Sequence, residues 1–151
     1  MQANLLPSAE EHERFDGIKL SKQLEGRLRV IARQATTVWF NCDRLDRLLA
    51  QYVGVLENCE LIYAIDANGR QVSSNISIHS IDVSAYGQNL SNRPYTVSLS
   101  VLKNPAEHGA FACRIYTSQV TLHPCATILY AVTSGSTLLG YIATDITQVP
   151  E

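Results

Sequence analysis

The chain has 151 residues, with 46% hydrophobic and 17% charged residues and a net charge of −2. That is enough for one domain with a true core, in an ordinary globular composition that excludes a disordered chain. The balance also excludes a broad nucleic-acid-binding surface, which needs a basic face, and no apolar run approaches the roughly 20 residues of a membrane span.

Residues 1–16 read as a polar, acidic tail, without the apolar core of a secretion signal. Residues 1–57 hold eight Lys/Arg and eight Asp/Glu, against four and six in residues 58–151. The first part therefore reads as a solvated helix and the second as charge-poor strands. Over residues 17–57 apolar or small residues fall at Leu24, Leu28, Ile31, Ala35, Val38, Cys42, Leu45, Leu49, Tyr52 and Leu56. Their steps alternate four and three, the spacing of a heptad seam. Val30, Trp39, Phe40, Leu48 and Val53 widen the stripe. The spacing predicts one long helix, covering a sheet and a candidate for pairing with a second copy. The β-branched pair Thr36-Thr37 marks where it would bend or break.

The sheet domain is expected over 58–151. CELIYAIDANGR reads as a strand ending in a tight turn, with Asn68 and Gly69 at positive-φ positions. QVSSNISI reads as the returning strand. Residues 80–95 read as loop and short helix, from the turn formers Gly87, Asn89, Ser91, Asn92 and Pro94. VSLSVLKN is a short helix or irregular segment that Asn104-Pro105 ends. AFACRIYTSQV, CATILYAVTS and TLLGYIATDI follow as three strands, the last two a hairpin around Gly135. A helix followed by runs of strands implies an α+β fold with an antiparallel sheet and helices to one side.

No two of the four cysteines, Cys42, Cys59, Cys113 and Cys125, have CxxC spacing. Cys113, His123 and Cys125 lack the pairing and the fourth ligand of a zinc site, so no metal is expected. The cysteines read as small core residues, with a Cys113–Cys125 bridge as the alternative in an oxidising compartment. Ser118, His123 and Asp145 invite a catalytic triad, but no Gly-x-Ser-x-Gly elbow surrounds the serine. No enzymatic activity is expected, and no cofactor.

Four segments resemble, in order, the PAS-like sensor domains called Cache or PDC domains, over about residues 20 to 147. LIYAIDANGR is similar to their first strand and D-x-x-G turn, and YGQNLSNRPY to the segment G-x-x-L-x-x-R-x-Y over the pocket. IYTSQVTLHPCATILYAV is similar to the strands carrying Y-x-S and P-x-x-T, and GYIATDI to the last strand, G-x-x-x-x-D. The resemblance implies a long N-terminal helix on a roughly five-stranded antiparallel sheet. It implies a signal-transduction sensor binding a small molecule on one sheet face, with Arg93, Tyr95, Tyr116, Ser118 and Asp145 at the pocket.

The chemistry of those residues agrees with that implication. An arginine fork suits a carboxylate, tyrosines supply apolar walls with polar tips, and Asp145 would accept from an amine or hydroxyl. The expected ligand is a small carboxylate or an amino acid. A structural Arg93–Asp145 pair is the alternative at these two positions. The alternative for the whole domain is a ligand-free dimerisation or interaction module. The expected partners are a second copy, through the helix, and an output signalling domain or protein outside this chain. The compartment reads as cytoplasmic, the alternative being a periplasmic fragment of a membrane receptor.

Overall fold

The computed structural model describes residues 22–93, 110–112, 116, 117 and 124–147. Helix α1 spans Lys22–Val38 and helix α2 spans Cys42–Tyr52. The apolar spacing continues across both, but the helix does not. Asn41 stands between them in extended backbone (φ −124°, ψ 102°), and its side chain accepts from the Arg44 N–H at 3.1 Å. Asparagine caps a helix start well because its short carboxamide satisfies an orphan donor of the first turn. The chain then doubles back. Arg27 Nη1 donates to the Val55 carbonyl at 2.6 Å, and the Tyr52 hydroxyl donates to Gln34 Oε1 at 3.1 Å. The one-helix reading of 17–57 is thus corrected to an antiparallel helical pair, with the break three residues past the Thr pair.

This folding redirects the seam. Leu28, Ile31, Ala35, Leu45 and Leu49 are all fully buried, packed with Trp39, Val53, Leu56 and the sheet residues Ile62, Ala126, Ile128 and Ile142. Of the ten seam residues only Cys42 is exposed. The wide stripe is used within the domain, which is what a wide stripe on a globular helix ordinarily means.

The strands are β1 (Cys59–Asp66), β2 (Asn75–Ile76), β3 (Ile81–Asp82), β4 (Ala110–Ala112), β5 (Tyr116–Thr117), β6 (Pro124–Ser134) and β7 (Thr137–Thr147). Every pairing is antiparallel, and the order is β3-β2-β1-β7-β6-β4, with β5 also on β6. β4 and β5 are successive stretches along the same side of β6. Between Ala112↔Ile128 and Tyr116↔Cys125 one side advances four residues and the other three. Counted so, β1, β2, the β4–β5 edge, β6 and β7 make the five-stranded sheet, with β3 a short outer hairpin arm. Helix α1 lies over β6 and β7, and α2 over β1 and β2. This is the expected α+β fold, a long N-terminal helix against a five-stranded antiparallel sheet.

Two turns differ instructively from expectation. After β1 only Gly69 (φ 90°) takes positive φ; Asn68 does not. The turn is held instead by Asp66, whose Oδ1 accepts from the Asn68 and Arg70 N–H groups at 2.9 and 3.0 Å. The returning segment is strand only at Asn75–Ile76, because side chains displace the ladder. Ser73 Oγ accepts from the Ala64 N–H at 2.8 Å, and Gln71 Nε2 donates to the Ser73 carbonyl and to Asn75 Oδ1. Asp46 of α2 fastens this segment, accepting from Ser74 N–H at 2.8 Å and from Ser74 Oγ at 2.6 Å. The β6–β7 hairpin matches its sequence: Ser134 pairs with Thr137 across Gly135 (φ 61°) and Ser136. VSLSVLKN lies outside the described residues.

Candidate functional site

The helices occupy one face of the sheet. On the other, alternation along the central strands brings together Leu61, Tyr63 and Ile65 of β1, Leu129 and Ala131 of β6, and Tyr141 and Ala143 of β7. Leu90 closes over this cluster and is 4% exposed. Its N–H donates to the Gly69 carbonyl at 2.8 Å, so the turn after β1 holds the loop on the face.

Asp145 extends the same row. It sits opposite Leu61 on β1 and Thr127 on β6, is 5% exposed, and accepts from Thr127 Oγ1 at 2.9 Å. A carboxylate this far inside a sheet face needs such hydrogen bonds to offset lost hydration. It also acts on its neighbourhood. Burial, and then the nearby Asp145 charge, pushes the Cys59 thiol up to about 12. Burial likewise raises the Tyr141 phenol to about 12.

The sequence-derived residues fall as follows. Arg93 ends the turn after Leu90, with its N–H bonded to the Leu90 carbonyl at 3.0 Å and its side chain half-buried. Tyr116 is in β5, directly opposite Cys125, which lies on the Asp145 face one same-face step from Thr127. Tyr95, Ser118 and His123 lie outside the described residues, as does Cys113. The structure thus leads the turn from Leu90 to Arg93 off the face that carries Asp145, and pairs β5 along the edge of β6. It adds Thr127, Tyr63 and Tyr141. Thr127 was readable as the last position of P-x-x-T, whereas Tyr141 reads from the sequence as a packing residue, and it is packed in the cluster under Leu90. Tyr63 carries no comparable motif. Tyr130, by contrast, lies on the helix face.

Cys42 and Cys59 are thiols, and the Cys113–Cys125 pairing involves a residue outside the described ones. Cys42 is exposed, and Cys59 and Cys125 are buried. Because the thiolate is the reactive form, a thiol reagent at neutral pH should modify Cys42 of the native protein rapidly. Cys59 should react only on unfolding. Mapping labelled peptides by mass spectrometry checks this, and early labelling at Cys59 would contradict the burial. No group of three or more His, Cys, Asp or Glu able to hold a metal ion occurs among the described residues. No helix among them is long and apolar enough to cross a membrane.

A long N-terminal helix thus covers one face of a five-stranded antiparallel sheet, and the buried Asp145 carboxylate lies on the other. Among solved structures, the chain is similar to an extracellular ligand-binding receptor from Desulfohalobium retbaense (15% identity, TM-score 0.64, covering 84% of this chain and 22% of that one). It is similar to the sensor domain of the V. cholerae histidine kinase DctB (20% identity, TM-score 0.59, 82% and 47% covered). It is also similar to the ligand-binding domain of the Campylobacter jejuni chemoreceptor Tlp3 in complex with 4-methylisoleucine (12% identity, TM-score 0.61, 83% and 50% covered). The chain spans half or less of the length of these structures. At such identities the likeness is one of fold. No family model and no curated protein matches the sequence.

Proposed function

We propose that this is a non-catalytic small-molecule sensor domain of the PAS-like, Cache-type class, with its ligand on the sheet face that carries Asp145. The observation that carries the reading is a buried carboxylate with Thr127, on the face away from the helices and on the side where Leu90 leads into Arg93. An amine or hydroxyl of the ligand would meet Asp145, and a carboxylate would meet the Arg93 fork. Tyr95, Tyr116 and Ser118 complete the proposed contacts. A small carboxylate or an amino acid satisfies that arrangement. The chemoreceptor domain above is bound to an amino-acid derivative, which makes amino acids the first compounds to try. The expected setting is cytoplasmic, with a periplasmic receptor fragment as the alternative. The signal would pass to an output module or protein beyond this chain. Pairing with a second copy would have to use helix residues outside the buried seam.

A second reading is favoured by a specific observation. Beneath Leu90 the face is packed by Leu61, Tyr63, Ile65, Leu129 and Tyr141, each at most 5% exposed. A face filled in this way suits a ligand-free interaction module. Thermal-shift screening of carboxylates and amino acids separates the two, since a ligand of the folded state raises the melting temperature. Under the sensor reading, Arg93→Ala lowers affinity by roughly 1.5–3 kcal/mol, about ten- to a hundredfold. It leaves the unliganded melting temperature near wild type, and Arg93→Lys also binds poorly. If Arg93→Ala instead costs roughly 3–5 kcal/mol of stability and no compound shifts the wild type, Arg93 is architecture and the interaction-module reading stands.

A further inference from the structure

A second concave site lies away from the sheet face just described, where α1 crosses β6. It is a cleft of about 290 Å³ lined by Arg29, Ala32, Arg33, Thr36, Tyr130, Ala131 and Thr133. Its size suits a ligand smaller than an ordinary drug-sized one. Arg29 and Arg33 are one helical turn apart, so their side chains are neighbours on α1, and both are exposed. Like charges at that spacing repel. Arg33 has no hydrogen-bond or ion-pair partner among the described residues. Arg29 Nε approaches the Tyr130 hydroxyl at 3.4 Å, a long bond that leaves the Nη edge of the guanidinium unused. The acidic neighbour of Arg29 is Glu25, one turn earlier and outside the lining.

The cleft is fixed to both of its walls. Thr36 Oγ1 lies 3.1 Å from the Ala32 carbonyl within α1 and 3.1 Å from the Thr133 carbonyl on β6. What remains free to face a ligand is a set of donors: two guanidinium forks and the Tyr130 hydroxyl proton. No carboxylate lines the space. Two adjacent forks match two negative charges, and each fork can grip two oxygens of one anionic group.

We propose that the cleft between α1 and β6 binds a small dianion, a phosphoryl group or a short dicarboxylate, through Arg29, Arg33 and Tyr130. The site is independent of the Asp145 face. It would let one domain respond to two different small molecules, with the second read directly at the helix–sheet contact.

Titration calorimetry on the full chain with inorganic phosphate, and separately with malonate, tests this. One saturable site is expected for at least one probe, and the tighter of the two names the ligand chemistry. Arg33→Gln and Arg29→Gln should each weaken binding roughly tenfold or more. Tyr130→Phe should weaken it less, by removal of a neutral donor. Arg47→Gln, an exposed arginine of α2 outside the cleft, should bind as wild type. Arg33 touches nothing that folding needs, so its variant should keep the wild-type melting temperature. The proposal is overturned if neither probe saturates at millimolar concentration or if the cleft variants retain wild-type affinity. An equal loss in Arg47→Gln would also overturn it, by showing a diffuse charge effect.

Discussion

Gly140→Ala should destabilise the protein by about 3 kcal/mol or more, at the upper end of what overpacking a core costs. Gly140 is the fourth residue of β7, paired with Asp66 on one side and Val132 on the other. A Cβ built there meets the Ile65 carbonyl oxygen well inside van der Waals contact, Trp39 Cζ2 at 2.7 Å and Asp66 Cα at 2.8 Å. Two of these atoms are backbone and cannot swing aside. The third belongs to an indole that is 5% exposed and packed into the helix-side core. The missing side chain lets the end of α1 lie directly on the strand. The effect should appear as a lower midpoint in chemical denaturation with an unchanged slope. Gly26→Ala is the control, because a Cβ there meets nothing within 4 Å; as a helix-interior glycine it should gain stability slightly. Wild-type stability in Gly140→Ala would mean that α1 does not pack here as described.

Leu28→Glu and Leu45→Glu should each leave the chain unfolded or close to it, at a cost of at least about 4 kcal/mol against a total stability of about 5–15 kcal/mol. From the heptad spacing alone, the same two changes would be expected to split a dimer and leave folded monomers. The structure reverses that expectation, because both leucines are 0% exposed within a single chain. A carboxylate placed there loses its hydration and gains no partner, and the protonated form still buries an unmatched polar group. Circular dichroism and size-exclusion chromatography together decide the matter. Loss of the helical signal with a larger hydrodynamic size is the expected result. A smaller, fully helical species would show instead that these side chains serve an interface.

How much of this was legible in the chain varies with the range of the physics involved. Local chemistry was read well. The Gly135 hairpin formed as expected, since a two-residue loop and positive φ are properties of a few neighbouring residues. The apolar strands β6 and β7 follow from their own β-branched and aromatic content. The order of elements and four short motifs were enough to point to the fold. Reading erred where a side chain could satisfy backbone groups in two ways. Asn41 caps a helix rather than sitting within one, and Ser73 and Gln71 replace ladder bonds expected of QVSSNISI.

What periodicity could not supply was the partner of each apolar face. A four-three spacing states that one side of the helix is buried, and it is silent on whether a sheet or a second helix buries it. Only the reversal at Asn41, with the Arg27–Val55 and Tyr52–Gln34 bonds, turned that face inward. The candidate site shows the same division. Asp145 stood out in the sequence as a lone charge in an apolar strand, and Arg93 as a lone cation in a polar turn. The place of Asp145 came from antiparallel register, in which Thr127, Asp145 and Leu61 from three strands meet side by side. The Arg29–Arg33 cleft could not be seen in the sequence, where two arginines four apart look like a solvated helix surface. Strand β6, about a hundred residues later in the chain, supplies Tyr130 as the other wall. Contacts between residues that distant are decided by packing the whole core, and no local pattern encodes them.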